Sequence, residues 1–451
     1  MSAQTIVAIS TPHGRGGISL IRLSGHDAHA ILKQIFRSKK GAEITNPYKQ
    51  YFGEIVSRDG EVLDEVLTFY ANNPNSFTGE DMAEISCHGN PLVAESIVEL
   101  CCSYSARLAL PGEFTERAFL NGRIDLTQAE AIIDTINAKT AKSLKLAKSA
   151  LIGKVYAYIE ELRSEIIGLL ASIEAAIDYS EEDITFLTRA EIEREIELII
   201  EKIDALIASY ERGRLLRDGV KIAIVGAPNS GKSSLLNALI GFERSIVSEH
   251  AGTTRDTVDA EISFNGVLAK IIDTAGIRNT ADEIEKIGVE RSRRAIEDAD
   301  FVILVLDGAR EMMADDFEII SAAKAKKQLI IINKSDIEQK IDTSKLNKEE
   351  FLYVSAKTGE GVLEMTTKIV ATLNLQLEND EIALTTIFQK NQMIQAKEHA
   401  KEALKELSDG MSEEFLAHNL TFCAENLAKI TGADVSAELL TELFSRFCVG
   451  K

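Results

Sequence analysis

The chain has 451 residues, 45% hydrophobic and 27% charged, with 6 prolines and no tryptophan. At about 150 residues per domain it holds two to four domains, each able to bury a core without disulfides or metals, and wholesale disorder and fibrous repeats are excluded. With 50 Lys and Arg against 71 Asp and Glu the net charge is -21, so the chain is no general nucleic-acid coat, and RNA contact requires a local basic patch.

Residues 1–120 carry short β-rich runs, including Ile18 to Leu23 and Val62 to Tyr70, divided by turn signals at Pro12-His13-Gly14, Asn72-Asn73-Pro74 and Pro111-Gly112. They read as a compact α+β domain. Leu126-Thr127 is expected to open a helix, because Thr127 and Glu130 stand in capping-box spacing. Helical periodicity follows through Val155, Ile159, Leu162, Ile166, Leu169 and Ile173, and through Ile192, Ile196, Ile199, Ile203, Leu206 and Tyr210 behind a second capping box, Thr188 to Glu191. Between residues 160 and 204 lie 14 acidic and 4 basic side chains, a net of -10, so that helical face is a poor surface for RNA. At Gly219 the pattern changes to a continuous apolar strand, Val220 to Val225, and strands then alternate with helices to about residue 376. Residues 384–407 and 412–431 return to amphipathic helix, the second ending at Gly432.

Five cysteines, Cys87, Cys101, Cys102, Cys423 and Cys448, form no CxxC or Cys/His ligand spacing; an odd count without a signal-peptide pattern points to reduced thiols in the cytoplasm. The longest apolar runs, such as Phe301 to Leu306, are strand-length and far short of the ~20 residues that span a bilayer, so no membrane association is expected.

Gly226-Ala-Pro-Asn229-Ser230-Gly231-Lys232-Ser233-Ser234 follows the Ile222 to Val225 strand and precedes an apolar helix, the context a phosphate-binding P-loop requires. Its glycines let backbone amides converge on phosphate oxygens, Lys232 brings a positive charge, and the Ser233 hydroxyl suits Mg²⁺. Asp273-Thr274-Ala275-Gly276 ends the strand Ala269 to Ile272, placing a carboxylate near the metal. Asn333-Lys334-Ser-Asp336 ends the strand Leu329 to Ile332, where the Asp336 carboxylate can accept two hydrogen bonds from guanine, a donor pair adenine lacks. Ser355-Ala356-Lys357 adds a backbone amide for guanine O6. In this order, each at a strand end, the segments point to GTP.

These are also the G1, G3, G4 and G5 motifs of translation-factor-type GTPases, and Gly252-Thr253-Thr254-Arg255-Asp256 resembles the G2 switch of one branch. Together with Arg15-Gly16-Gly17, Ser76-Phe77-Thr78-Gly79-Glu80, Pro111-Gly112-Glu113-Phe114, Arg117 to Arg123 and Phe447-Cys448-Val449-Gly450-Lys451, they make the whole chain resemble the MnmE (TrmE) family of tRNA wobble-uridine modification GTPases, within the K⁺-dependent TrmE-Era-EngA type. The resemblance implies a multidomain α+β and α/β protein: an N-terminal tetrahydrofolate-binding and dimerisation domain (1–120), a discontinuous helical domain (121–215 and 378–451), and an inserted Ras-like G domain (216–377).

It further implies that the segment Ser248, Glu249, His250, Ala251, Gly252, Thr253 and Thr254 borders the GTP, with Thr254 joining Ser233 on Mg²⁺. The residue after Gly276 is Ile277, where many GTPases carry a water-positioning glutamine. By resemblance Glu285 orients the water instead; by its sequence alone it reads as a solvated helix-start acid. Asn229 is implied as a K⁺ ligand completed near Ser248, His250 and Thr253, against the alternative that it caps its own loop. Arg22, Glu84, Arg123 and Lys451 match the folate positions, a tetrahydrofolate derivative such as the 5-formyl or methylene form being the implied one-carbon donor; Arg22 reads equally as a surface cation. Cys448 is a candidate for the one-carbon chemistry, yet no His is placed beside it. The implied partners are tRNA, a second copy of the chain, and an FAD-dependent flavoprotein of the MnmG type in a heterotetramer. Lys139, Lys142, Lys145 and Lys148, at spacing three, read either as tRNA phosphate contacts or as a solvated face. Two other classes share parts of the pattern. A ribosome-assembly GTPase switch would add a basic RNA module, and a dynamin-like mechanoenzyme is disfavoured by the acidic charge and the absence of a lipid anchor pattern.

Overall fold

The computed structural model describes residues 4–39, 41, 43–178, 187–242, 258–272, 293–346, 351–376 and 382–451. The chain divides into two units: Met1–Ile133 with Tyr156–Arg163 and Ala424–Lys451, and Asp134–Val155 with Ser164–Cys423.

In the first unit, β1 (Ile6–Ile9), β2 (Ile18–Ser24), β3 (Phe36–Ser38), β4 (Tyr51–Val56), β5 (Val62–Ala71), β6 (Met82–His88) and β7 (Arg107–Leu108) form a seven-stranded sheet in the order β3-β4-β5-β6-β2-β1-β7. All neighbours are antiparallel except β1 and β7. Alternate residues of the strands, among them Ile21, Leu23, Ile55, Val66 and Ile85, are buried with Ile31 and Leu32 of α1 (Ala28–Ile35) and Ile97 and Cys101 of α2 (Pro91–Cys102). Helix α2 starts where the sequence allows it, with Pro91 in its first turn and the Asn90 side chain accepting from Leu92 N–H at 3.1 Å. Helix α3 (Glu113–Leu120) begins at Gly112, whose φ of 71° and close approach to the Phe444 carbonyl leave no room for a Cβ.

Helix α4 (Leu126–Asn137) begins at Leu126 as expected, but Thr127 is not its cap. Its cap is Asp125, which accepts from Gln128 N–H at 3.0 Å while Gln128 Oε1 accepts from Asp125 N–H at 3.2 Å. Thr127 lies inside the helix and donates its hydroxyl to Asp125. The C-terminal helix Ala437–Ser445 contributes Phe444, which with Phe447 is buried among Ala129, Phe119 and Ile132. The last residues run against β1 and α3: Ser10 Oγ donates to the Gly450 carbonyl at 3.0 Å, and Gly112 and Phe114 N–H donate to the carbonyls of Cys448 and Lys451.

The second unit combines α5 (Ala141–Leu151), α7 (Arg189–Asp218) and the later part of α6 (Lys154–Asp178) with a second sheet. The Thr188–Glu191 capping box is formed, and the predicted stripe Ile192, Ile196, Ile199, Ile203 and Leu206 is buried along α7. Lys202 Nζ meets Glu165 of α6 at 2.5 Å. Strands β8 (Val220–Val225), β9 (Val258–Phe264), β10 (Val267–Ile272), β11 (Phe301–Asp307), β12 (Gln328–Asn333) and β13 (Phe351–Val354) order as β13-β12-β11-β8-β10-β9, parallel except for β9 with β10. Ile222, Ile224, Phe301, Ile303 and Val305 enter the core on one face of the sheet, and Ala223, Val225, Val302, Leu304 and Leu306 that on the other. Burial of both faces explains the unbroken apolar runs of the sequence. Helices α8 (Lys232–Phe242), α9 (Ala314–Ala323) and α10 (Val362–Thr372) follow β8, β11 and β13. The β9–β10 hairpin turns on Asn265-Gly266, both at positive φ (49° and 74°), as a two-residue type I′ turn requires.

Candidate functional site

In an open parallel sheet, ligands bind beyond the carboxyl ends of the strands. Here that edge collects the loop after β8, Asp307 at the end of β11, Asn333 at the end of β12 with Lys334 to Asp336 after it, and Ser355 to Lys357 after β13. Asn333, 2% exposed, ties three of these loops together. Its Nδ2 donates to the Ser230 carbonyl at 2.9 Å and its Oδ1 accepts from Ala356 N–H at 3.0 Å. Ser355 donates its hydroxyl to Asp336 at 2.7 Å, which holds that carboxyl below the usual carboxylate range, with Lys357 adding to the effect. Asp336 is therefore ionised, exposed and oriented, as an acceptor for two N–H donors must be.

The loop after β8 is built for close approach. Gly231, at φ 94°, passes so near Asn333 that a Cβ would lie 2.0 Å from Nδ2. Asn229 takes φ 60° and is exposed, and helix α8 begins at Lys232, so its first amides face the loop. Lys232 turns its ammonium back onto the carbonyls of Gly226 and Ala227, both at 2.9 Å, and burial lowers its pKa. A desolvated cation beside the N-terminus of a helix is a site for a polyanion. Ser230 Oγ is buried with no hydrogen-bond partner among the described residues. Ser233 and Ser234 are exposed at the helix start, where a hydroxyl can reach a phosphate-bound Mg²⁺.

Ser248 to Thr254, Asp273 to Gly276 and Glu285 lie outside the described residues. One partner escaped the sequence reading: Asp307, whose carboxylate takes the Lys334 ammonium at 2.6 Å and fixes that side chain beside the Asp336 loop.

In the first unit Arg22 and Glu84 stand opposite each other on β2 and β6 and pair at 2.7–2.8 Å, with 13% and 17% of their side chains exposed. Arg22 is thus no free surface cation. Its guanidinium lies 5.0 Å from the Phe77 ring centroid and 5.9 Å from that of Phe114. Burial, and then Arg22, hold the Lys451 ammonium below the ordinary lysine range, against the opposing effect of Glu84 and Cys448. The structure thus pairs Arg22 with Glu84, and both charges act on the Lys451 ammonium. Arg123 joins only through the loop, its Nε donating to the Ser76 carbonyl at 3.3 Å, next to Phe77. Cys448 is exposed, and its carbonyl accepts from Gly112 and Lys451 N–H.

Beneath this site runs a buried network that the sequence did not reveal. Arg117 bonds Glu80 at 3.0 Å, Glu113 at 2.8 Å and the Gln4 carbonyl at 2.9 Å, while Arg107 forks onto Glu113. Burial alone would raise the Glu113 carboxyl, but hydrogen bonds from Arg107, Leu110 N–H and Arg117 bring it down to about 2.

The lysine stripe is corrected in part. Lys139 pairs with Glu261 of β9 at 2.6 Å, and Lys142 is half-buried, donating to the Leu375 carbonyl at 3.0 Å. Lys139 is exposed but already paired with a carboxylate, and Lys142 is not a solvated cation. Among the described residues no helix is long and apolar enough to cross a membrane.

Residues 5–123 match the family model "GTP-binding protein TrmE N-terminus", and residues 126–448 match the "MnmE helical domain". The "tRNA modification GTPase MnmE" of Acetivibrio thermocellus is 45% identical over 458 aligned positions, covering 99% of each chain. The protein of the same name from Thermoanaerobacter sp. is 42% identical over 461 positions and the full length of both, and that of Latilactobacillus sakei is 41% identical over 453 positions, covering 99% of this chain and 98% of its own. With a guanine-type nucleotide edge on the second sheet and relatives matched from end to end, the chain belongs to the MnmE family of tRNA modification GTPases.

Proposed function

We propose that the chain hydrolyses GTP to drive, with a flavoprotein partner of the MnmG type, addition of an aminomethyl or carboxymethylaminomethyl group at C5 of the wobble uridine of certain tRNAs. A tetrahydrofolate derivative is the one-carbon donor, two copies of the chain act together, and the setting is the cytoplasm. The observation that carries the GTP step is Asn333, which joins the phosphate loop at Ser230 to the base-reading loop at Ala356 and leaves Asp336 ionised for a guanine edge.

In this reading Lys232 exchanges its two loop carbonyls for phosphate oxygens, and the amides of the Gly226 to Ser233 loop orient the triphosphate. Ser233 and Thr254 would hold Mg²⁺, and Asn229, with Ser248, His250 and Thr253, would hold K⁺. These ions supply positive charge against the phosphates, the work an arginine finger does elsewhere for about 10³ to 10⁵ in rate. Glu285 orients the attacking water. GTP turnover is then fast in K⁺ and slow in Na⁺, and equal rates in the two salts remove Asn229 from this role.

In the first unit, Arg22 and Lys451 provide the cationic side of a folate pocket, Glu84 a carboxylate for pterin N–H groups, Phe77 an apolar wall, and Arg123 a cation at the rim. Cys448, beside Lys451, is the candidate for one-carbon chemistry. The deciding experiment deletes the gene and measures wobble uridines by mass spectrometry. Loss of the C5 substituent is expected, restored by the intact chain; tRNA with unchanged wobble uridines overturns the reading.

A further inference from the structure

The β9–β10 hairpin joins two motifs of the nucleotide site: Thr254 stands four residues before Val258, the first of β9, and Asp273 follows Ile272, the last of β10. Ile262, Phe264, Val267, Ala269 and Ile271 anchor the hairpin in the core. Glu261 alternates with these residues and lies opposite Lys270 in the hairpin register.

The cation that meets Glu261 comes from the helical segment that precedes the sheet in sequence. Lys139 Nζ lies 2.6 Å from Glu261 Oε2, with 42% and 18% of the two side chains exposed. Lys139 directly precedes Thr140, the cap of α5, where Thr140 and Ser143 form a reciprocal capping box, so the ammonium is delivered from a fixed helix start. Lys142, one turn on, lays its stem beside the hairpin turn, 3.3 Å from where a Cβ of Gly266 would stand, and Leu146 is buried in the same core as the hairpin. Asp134 accepts from Arg217 Nε at 2.9 Å, and Arg217 donates to the Thr385 carbonyl at 3.2 Å, tying the preceding helix to the segments that come before and after the sheet in sequence.

Lys142 and Leu146 hold α5 against the sheet whatever the charge at position 139. The Lys139–Glu261 pair is different: half exposed, it adds little to folding, but it acts on the strand pair that carries both motifs. We propose that Lys139 is a positioning residue for GTP turnover, acting through Glu261 to set where α5 holds the β9–β10 hairpin and so coupling the nucleotide cycle to the helical segment. The inference rests on the GTP reading of this unit.

The test uses the full chain with Lys139→Ala, Glu261→Ala and the exchanged pair Lys139→Glu with Glu261→Lys, measuring GTP kcat and KM, and GDP affinity with a fluorescent analogue. Each single change alters kcat about fivefold, the effect of a pair of this exposure on a two-state equilibrium, while KM and GDP affinity stay within about twofold. The exchanged pair restores kcat. Unchanged kcat in both single variants, or no restoration by the exchange, overturns the proposal. Should an alanine variant fail to fold, Lys139→Met and Lys139→Arg replace it: altered turnover for Met with wild-type turnover for Arg supports the assignment, and equal rates overturn it. A wild-type chain that binds no GTP overturns the GTP reading instead, which separates the two failures.

Discussion

Replacing Asn333 by Ala tests the nucleotide site at the residue that assembles it. The substitution deletes a donor to the Ser230 carbonyl and an acceptor for Ala356 N–H, at 2.9 and 3.0 Å, from a side chain 2% exposed. A buried polar group left without its partner costs about 1–3 kcal/mol, so two such groups put about 2 kcal/mol or more at stake. Both anchor points belong to loops that border the proposed nucleotide, so a share of this loss should fall on nucleotide affinity. At about 1.4 kcal/mol per tenfold, guanine-nucleotide affinity should fall roughly 10- to 100-fold. Calorimetric titration with GDP, beside a denaturant melt, separates affinity from stability. Asn333→Asp keeps the acceptor for Ala356 but sets a carboxylate against the Ser230 carbonyl, and it should bind no better than the alanine variant. Unchanged GDP affinity in Asn333→Ala would refute the argument that this side chain holds the two loops in register.

Gly231→Ala should abolish nucleotide binding while the chain stays folded, because the new Cβ would stand 2.0 Å from Asn333 Nδ2 at a φ of 94°; calorimetry with GDP checks it, and near-normal binding would contradict the close approach. Glu113, with its folded value brought from 4.5 to about 2, adds stability that is fully present above about pH 4.5 and is lost as pH falls through about 2. That contribution is about 3 kcal/mol, and Glu113→Gln should flatten the acid limb of the stability profile measured by urea melts between pH 5 and pH 2, within which an unaltered slope would dismiss the network. Arg22→Ala leaves Glu84 without its cross-strand partner and should lower tetrahydrofolate affinity more than about tenfold with GTP turnover intact; fluorescence titration showing full affinity would remove Arg22 from the pocket.

The nucleotide edge was legible because its motifs are contiguous and each follows an apolar strand, so local sequence states both the chemistry and its place. Asp307 was less visible: its role depends on Lys334, 27 residues on, and nothing local distinguishes it from an ordinary strand-end acid. The start of α4 shows a different limit. Asp125 to Gln128 and Thr127 to Glu130 overlap in one stretch and both have capping-box spacing, and the earlier pair wins because the helix begins at the buried Leu126. Spacing marked the lysine stripe as one face of a helix but held no information about its neighbour, since Glu261 lies 122 residues from Lys139. The Glu80–Arg117–Glu113 network was hidden for the same reason, its partners being recruited from Gln4 to Arg117 across the fold.

The charge balance explains why the candidate sites are built as they are. A chain with a net charge of -21 repels polyanions at long range, so affinity for a triphosphate or a glutamyl tail must come from short-range groups that bulk salt screens weakly. Lys232 and Lys451 are such groups. Each is held below the ordinary lysine range chiefly by burial, and each gains most when an anion arrives. Arg22 is conditioned differently: Glu84 satisfies it in advance, so it arrives at a ligand already oriented but partly neutralised. The phosphate loop thus holds its cation on neutral carbonyls, ready for a ligand that brings several negative charges, while the first unit pairs its cation with a carboxylate that can also accept hydrogen bonds. That division matches a phosphate ester at one site and, at the other, a ligand with both acidic and N–H-rich ends.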